Sequence, residues 1–167
     1  MATQLSHEET IFTANVPNII LVCDNVNSPA NIGSLFRACD ALGINQIYFC
    51  GTTVDLGSSR LKRTARSTEN NISFKDGLSI INLLETFNKK EHSIIALELT
   101  TQSIPLETFK IDKTKTTILI IGNEKNGISI DALRFAKTSL HIEMQGKNSS
   151  MNVIQATSIA LFALTKF

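Results

Sequence analysis

The sequence predicts an α/β domain with a mainly parallel sheet and helices on both faces. Three observations carry this. Largely apolar runs of strand length recur at Ile19–Cys23, Gln46–Cys50, Ser93–Leu99, Thr117–Ile121 and Leu140–Met144. Runs without strict alternation suit strands covered on both faces, as parallel strands are. Segments of helical periodicity separate them. Finally, three junctions, Asn31–Arg37, Gly122–Gly127 and Gly146–Asn152, concentrate Gly, Asn, Ser and charged residues where a strand gives way to a helix. Open α/β sheets bind ligands at such strand ends.

The chain has 167 residues, 43% hydrophobic and 19% charged, which suits one domain with a real core. No Pro- or Gly-rich linker divides it. We read residues 1–16 as a polar arm and 17–167 as a single domain. The net charge of +1 excludes a strongly basic domain, so any surface for nucleic acid is local. Cys23, Cys39 and Cys50 lack a CxxC and read as buried, reduced thiols. His7, His92 and His141 have no ligand spacing, and no metal is expected. No apolar run reaches the roughly 18 residues of a membrane span, and the amino end lacks a basic n-region. A cytoplasmic location without membrane contact is expected.

The elements follow in order. After Ile19–Cys23, the residues Asp24–Ser28 form a turn, with Ser28 as N-cap and Pro29 at the first helical position. Ile32, Leu35, Phe36, Cys39 and Leu42 then make one apolar stripe, with Arg37 opposite it, and Gly43 closes the helix. The stretch from Thr52 to Ser73 is irregular and carries the densest positive cluster, Arg60, Lys62, Arg63 and Arg66. A helix is predicted from Asp76, as its cap, to Lys90. Thr100–Ser103 is a polar turn. Ser129 caps a short helix with Asp131 in its first turn. The last helix starts near Ser150 and is apolar almost all round, so the core covers one side and a second subunit is a candidate for the other.

Each polar junction also has a plain structural alternative. Asn31 and Arg37 stand near a helix amino end, which suits phosphate, yet an N-terminal Asn and a solvated Arg would look the same. The loop Gly122-Asn-Glu-Lys-Asn-Gly127 lacks the Gly-Lys-Ser/Thr ending of a phosphate loop, and the Glu124 carboxylate would repel phosphate. Glu124 suits a sugar hydroxyl, a cation or a backbone N–H. Ser149 or Ser150 could be ordinary helix caps. Asn152, placed in the first turn of an apolar helix, needs a partner if buried.

Taken together, the segments Asn31-Ile-Gly-Ser-Leu-Phe-Arg37, Ile121-Gly-Asn-Glu-Lys-Asn-Gly127 and Ile142-Glu-Met-Gln-Gly-Lys-Asn-Ser-Ser-Met-Asn152 resemble the three signature motifs of the SpoU/TrmH-type RNA ribose 2'-O-methyltransferases of the SPOUT class. The likeness runs from about Ile19 to Leu164. One departure is Glu143, where the third motif commonly has Pro. The resemblance implies S-adenosylmethionine as methyl donor, tRNA or rRNA as substrate, a homodimer, and a trefoil knot in the carboxyl-terminal half, which general rules of chain topology would not suggest. It places Leu99, Thr100, Gly122, Ile142, Ser150 and Met151 at the donor, and Asn31, Arg37, Glu124, Ser150 and Asn152 at catalytic or site-building positions.

A guanidinium has a pKa above about 12, so Arg37 suits holding a phosphate and stabilising a developing alkoxide better than removing a proton. Glu124 suits orienting the site. The cluster of Arg60, Lys62, Arg63 and Arg66 is the candidate for RNA phosphate contact, against the alternative of a solvated helix face. Two other readings stay open: a base methyltransferase of the same fold, and a non-catalytic RNA-binding module. A doubly wound nucleotide binder ranks behind them, because GxGxxG and Walker patterns are missing.

Overall fold

The computed structural model describes residues 2–5, 10, 17–87 and 89–166. Of the expected arm, residues 2–5 and 10 belong to no helix or strand. The rest of the arm, with His7, lies outside the described residues.

Seven strands form one sheet: β1 (Ile19–Asp24), β2 (Gln46–Cys50), β3 (Ser73–Leu78), β4 (His92–Leu97), β5 (Ile104–Pro105), β6 (Thr116–Ile121) and β7 (Thr138–His141). Their order is β3-β2-β1-β6-β4-β7-β5, and each pairing between them is parallel. The chain runs outward from β1 to β3. It then starts again on the far side with β4 and β5. β6 fills the slot between β1 and β4, and β7 the slot between β4 and β5. Strand direction of winding therefore reverses beside β1, the place where such sheets open a ligand crevice.

Alternate side chains of the strands enter opposite cores, as the two-residue period of a strand requires. Leu21, Cys23, Leu119 and Ile121 face α1 (Pro29–Leu42) and α5 (Val153–Lys166). Val22, Ile118 and Ile120 face α3 (Ile80–Thr86) and α4 (Ile130–Leu133). A further helix, α2 (Ser59–Ala65), packs on α1. Gly33 makes that crossing possible, because a Cβ there would lie 2.4 Å from the carbonyl oxygen of Leu61 and 2.2 Å from Thr64 Oγ1. Thr64 Oγ1 also donates to the carbonyl of Ala30 at 3.0 Å.

Several expected boundaries need correction. The predicted helix from Asp76 to Lys90 is too long at its start: Ser73–Leu78 is an edge strand paired with β2. Ser79 is the cap, its hydroxyl accepting the Asn82 N–H at 3.4 Å, while Asp76 accepts the Val54 N–H at 2.6 Å. The helix also ends earlier than the expected Lys90, at Thr86 with Phe87 as its C-cap; of the expected span, Asn88 lies outside the described residues. The expected strand Leu140–Met144 lies further upstream, at β7, because Thr138–Leu140 pair with Ile95–Leu97. Residues Ile142–Met144 leave the sheet. The last helix begins at Val153 rather than near Ser150. Ser28 holds the N-cap position of α1 but makes no capping bond with its side chain; Gly43 ends that helix with a left-handed φ of 73°. Helix α5 buries Thr157, Ala160, Leu161 and Leu164 and leaves Ile159 44% and Phe162 53% exposed.

Candidate active site

The second motif loop is the centre of the site. Gly122 must be glycine, since a Cβ would lie 2.2 Å from the Gly127 carbonyl carbon and 2.3 Å from the Ile128 nitrogen. That closeness comes from a tight loop in which Asn123 and Gly127 exchange backbone hydrogen bonds of 3.1 and 2.9 Å. The Asn123 Oδ1 accepts the N–H groups of Lys125 and Asn126 at 3.0 and 3.1 Å, and its amide nitrogen donates to the Asn25 carbonyl at 2.8 Å. A side chain that mimics a backbone turn in this way fixes the loop. Glu124 is thereby aimed at α1, where the Asn31 amide donates to its carboxylate. Two sequence-predicted residues 93 positions apart are thus in contact.

Two carboxylates hold the loop from either side. β6 lies between β1 and β4, and each neighbour contributes an acid at its end. Asp24, 1% exposed, accepts the Ser129 N–H at 2.7 Å and the Asn25 amide at 2.7 Å. Glu98 accepts the Ile128 N–H at 3.0 Å and the Leu99 N–H at 3.1 Å. Gly127 lies so near Glu98 that a Cβ there would be 2.5 Å from Oε2. Sequence reasoning missed Asp24, Glu98 and Asn123. A signal exists for the first two: each is an acid directly after an apolar run, at a strand's carboxyl end.

The loops after β4, β6 and β7, with the start of α5, enclose a cleft of about 670 Å³. Leu99, Gly122, Ile142, Ser150 and Met151 line it, as do Glu124 and Asn152. Glu98 and Glu143 line it too, and Lys125 brings a positive charge. Asn152 is exposed and caps α5, its Oδ1 accepting the Ile154 N–H at 2.8 Å. This answers the partner question for Asn152 and corrects the expected cap at Ser149 or Ser150. Thr100 stands outside the cleft. Its N–H is taken by Ser103 Oγ at 3.0 Å within the 100–103 turn, and it lines a neighbouring depression.

Arg37 is exposed and does not line the cleft. It shares a stripe of α1 with Gly33, pressed on α2, and with Asp40, which accepts from the Asn71 amide at 3.0 Å. Arg37 therefore stands on the side of α1 that faces α2. Arg60, Lys62 and Arg63 are exposed on α2, and Arg66 caps it in a left-handed conformation with φ 56°. Among the described residues none of these cations is ion-paired. Burial pushes the three thiols up, Cys50 to about 12 with Asp24 adding to the effect; Glu124 is among the charges that raise Cys23. Among the described residues, no group of three His, Cys, Asp or Glu could hold a metal ion, and no helix is long and apolar enough to cross a membrane.

A parallel sheet with a late-inserted β6 and β7, and a cleft walled by three strand-end loops and a helix amino end, agree with the SPOUT-class methyltransferase fold that the motif resemblance implies. Comparison with known proteins agrees. The SpoU rRNA Methylase family matches residues 18–162. The tRNA (guanosine(18)-2'-O)-methyltransferase of Aquifex aeolicus is 30% identical over 145 residues, 87% of this chain and 67% of that protein. The enzyme of the same name from Thermus thermophilus is 24% identical over 92% of this chain and 77% of its own length. Among solved structures, an AdoMet-bound rRNA methyltransferase from Sinorhizobium meliloti superposes with a TM-score of 0.78 at 28% identity, covering 87% of this chain and 54% of that one. The Aquifex aeolicus TrmH/SpoU tRNA modifying enzyme superposes with a TM-score of 0.76 at 25% identity, over 89% of this chain and 74% of that one. The chain thus spans between about half and three quarters of these relatives. The chain belongs to the SpoU rRNA methylase family.

Proposed function

We propose that this chain transfers a methyl group from S-adenosylmethionine to the 2'-hydroxyl of a ribose in tRNA or rRNA. The observation that carries this reading is one cleft at the strand ends lined by the second and third motif segments, with Asn31 of the first segment joined to its wall through Glu124. The cleft fits the donor. Its volume of about 670 Å³ is that of a small-molecule site. Its walls combine backbone groups of tight loops with the carboxylates of Glu98, Glu124 and Glu143 against one lysine, a balance that favours a cationic ligand. Leu99, Gly122, Ile142, Ser150 and Met151 would hold it, and when bound it supplies an electrophilic methyl carbon.

The chain's own part is alignment and charge. Asn31 and Glu124 brace each other and orient the acceptor side of the cleft. Asn152 fixes the start of α5, so that Ser150 and Met151 keep their place at the wall. Arg37 holds a phosphate of the RNA and stabilises negative charge on the sugar oxygen. Its outward position supports a site completed by a second copy, and the exposed Ile159 and Phe162 of α5 support a homodimer covering that face. The exposed cations on α2 support RNA backbone contact. The single domain over residues 17–167, a trefoil knot and a cytoplasmic location belong to the same reading; insertion of β7 between β4 and β5, with α5 packed back on α1, supports the knot.

The test is methyl incorporation from labelled S-adenosylmethionine into tRNA and rRNA, followed by digestion to nucleosides. A 2'-O-methylnucleoside is expected. Label on a base, or none in either RNA despite donor binding, overturns the ribose assignment.

A further inference from the structure

We propose that Asp24 and Glu98 are positioning residues that divide the control of one loop: Glu98 sets the fit of the donor, and Asp24 sets the geometry of the Asn31–Glu124 side. The inference rests on the donor-site reading above. Neither residue belongs to the three motifs.

The bonds are adjacent in sequence but opposite in direction. Ile128 N–H points to Glu98 on the β4 side, and Ser129 N–H points to Asp24 on the β1 side. Glu98 lines the cleft and also takes the N–H of Leu99, so it ties the donor wall to the second-motif loop. Asp24 takes the amide of Asn25, whose carbonyl takes the amide of Asn123, the residue before Glu124. A shift of Asp24 is therefore relayed to the carboxylate paired with Asn31. A carboxylate accepts through both oxygens, whereas an amide accepts through one and turns a donor toward the other N–H. Glu98→Gln and Asp24→Asn thus each break one arm with no change of size.

Donor affinity by calorimetry, kcat at saturating donor with RNA from cells lacking the protein, and amide exchange by NMR separate the roles. Glu98→Gln should weaken binding of S-adenosylmethionine about tenfold, the loss of one charge-assisted hydrogen bond, and leave kcat within about twofold. Asp24→Asn should do the reverse. Because Asp24 is buried, Ser129→Pro is the second variant: it deletes the N–H, together with a hydroxyl that makes no capping bond, at a φ of −60° that proline adopts. In exchange, Glu98→Gln should speed Ile128 or Leu99 and spare Ser129, and Asp24→Asn should speed Ser129 and spare Ile128 and Leu99. Movement of the same parameter by both variants, or unchanged donor affinity in a folded Glu98→Gln protein, overturns the proposal. If wild-type protein binds no S-adenosylmethionine, the donor reading fails separately, and equal acceleration of both amides in either variant then overturns this one.

Discussion

The first and third motif segments are both polar, both next to a helix amino end, and both on the reading of one active site, yet they are built differently. At the first, Gly33 is pressed between α1 and α2 with no room for a methyl group. At the third, a Cβ on Gly146 would meet nothing within 4 Å, and residues 145–150 are exposed. One glycine is there because the protein packs against itself. The other lies in an exposed segment with no such packing. Identical residue types in neighbouring motifs thus answer to different forces.

The comparison can be broken most directly at Gly33. Gly33→Ala should cost about 3 kcal/mol or more, since overpacking against backbone leaves little to relax, and urea unfolding measures it. A loss below 1 kcal/mol would mean that α2 shifts freely and the contrast is false. Next in size is Arg37→Lys, which keeps charge but loses the planar fork. It should lower kcat about tenfold or more, as removal of a transition-state donor does, with donor affinity unchanged; a wild-type rate removes the fork from the mechanism. Third, a double-mutant cycle of Asn31→Ala and Glu124→Ala should give a stability coupling of about 1 kcal/mol. Additive effects would show that the pair does not brace the first segment against the loop. Smallest is Gly146→Ala, expected within about 0.5 kcal/mol in unfolding, while donor binding should slow amide exchange at residues 147–151. Exchange there that ignores the donor would remove the reason for the open build.

A further check uses the thiols. Burial holds Cys23, Cys39 and Cys50 in the protonated form. A folded pKa above the unfolded value means stability that is complete below the unfolded pKa, near 9.0, and lost as pH rises toward the folded value, about 12 for Cys50. Native protein at pH 8 should therefore react slowly with a thiol reagent, and all three should react once unfolded.

The sheet was largely legible because β1, β4 and β6 are buried runs whose composition leaves few alternatives. β3 was not, because Asp76 and Gly77 inside it look like a helix cap and a breaker, and this edge strand alternates between exposed and half-buried positions. β5 has two residues and no pattern at all. Local motif spacing located the loops of the cleft. It did not reveal that Asp24 and Glu98 reach Ser129 and Ile128, because those bonds span 105 and 30 positions and exist only once β6 lies between β1 and β4. That Thr100 stands outside the cleft was hidden for a related reason: its turn uses its N–H internally.

β5 pairs with β7 alone among the described strands. During synthesis it leaves the ribosome with no neighbour to join until Thr138–His141 follow, and at about 5–20 residues per second that is a wait of seconds. The wall from Ile142 to Val153 comes later still. A nascent chain stopped before that wall would lack Ala160, Leu161 and Leu164 of α5, so the core that faces α1 stays open until the last helix has emerged.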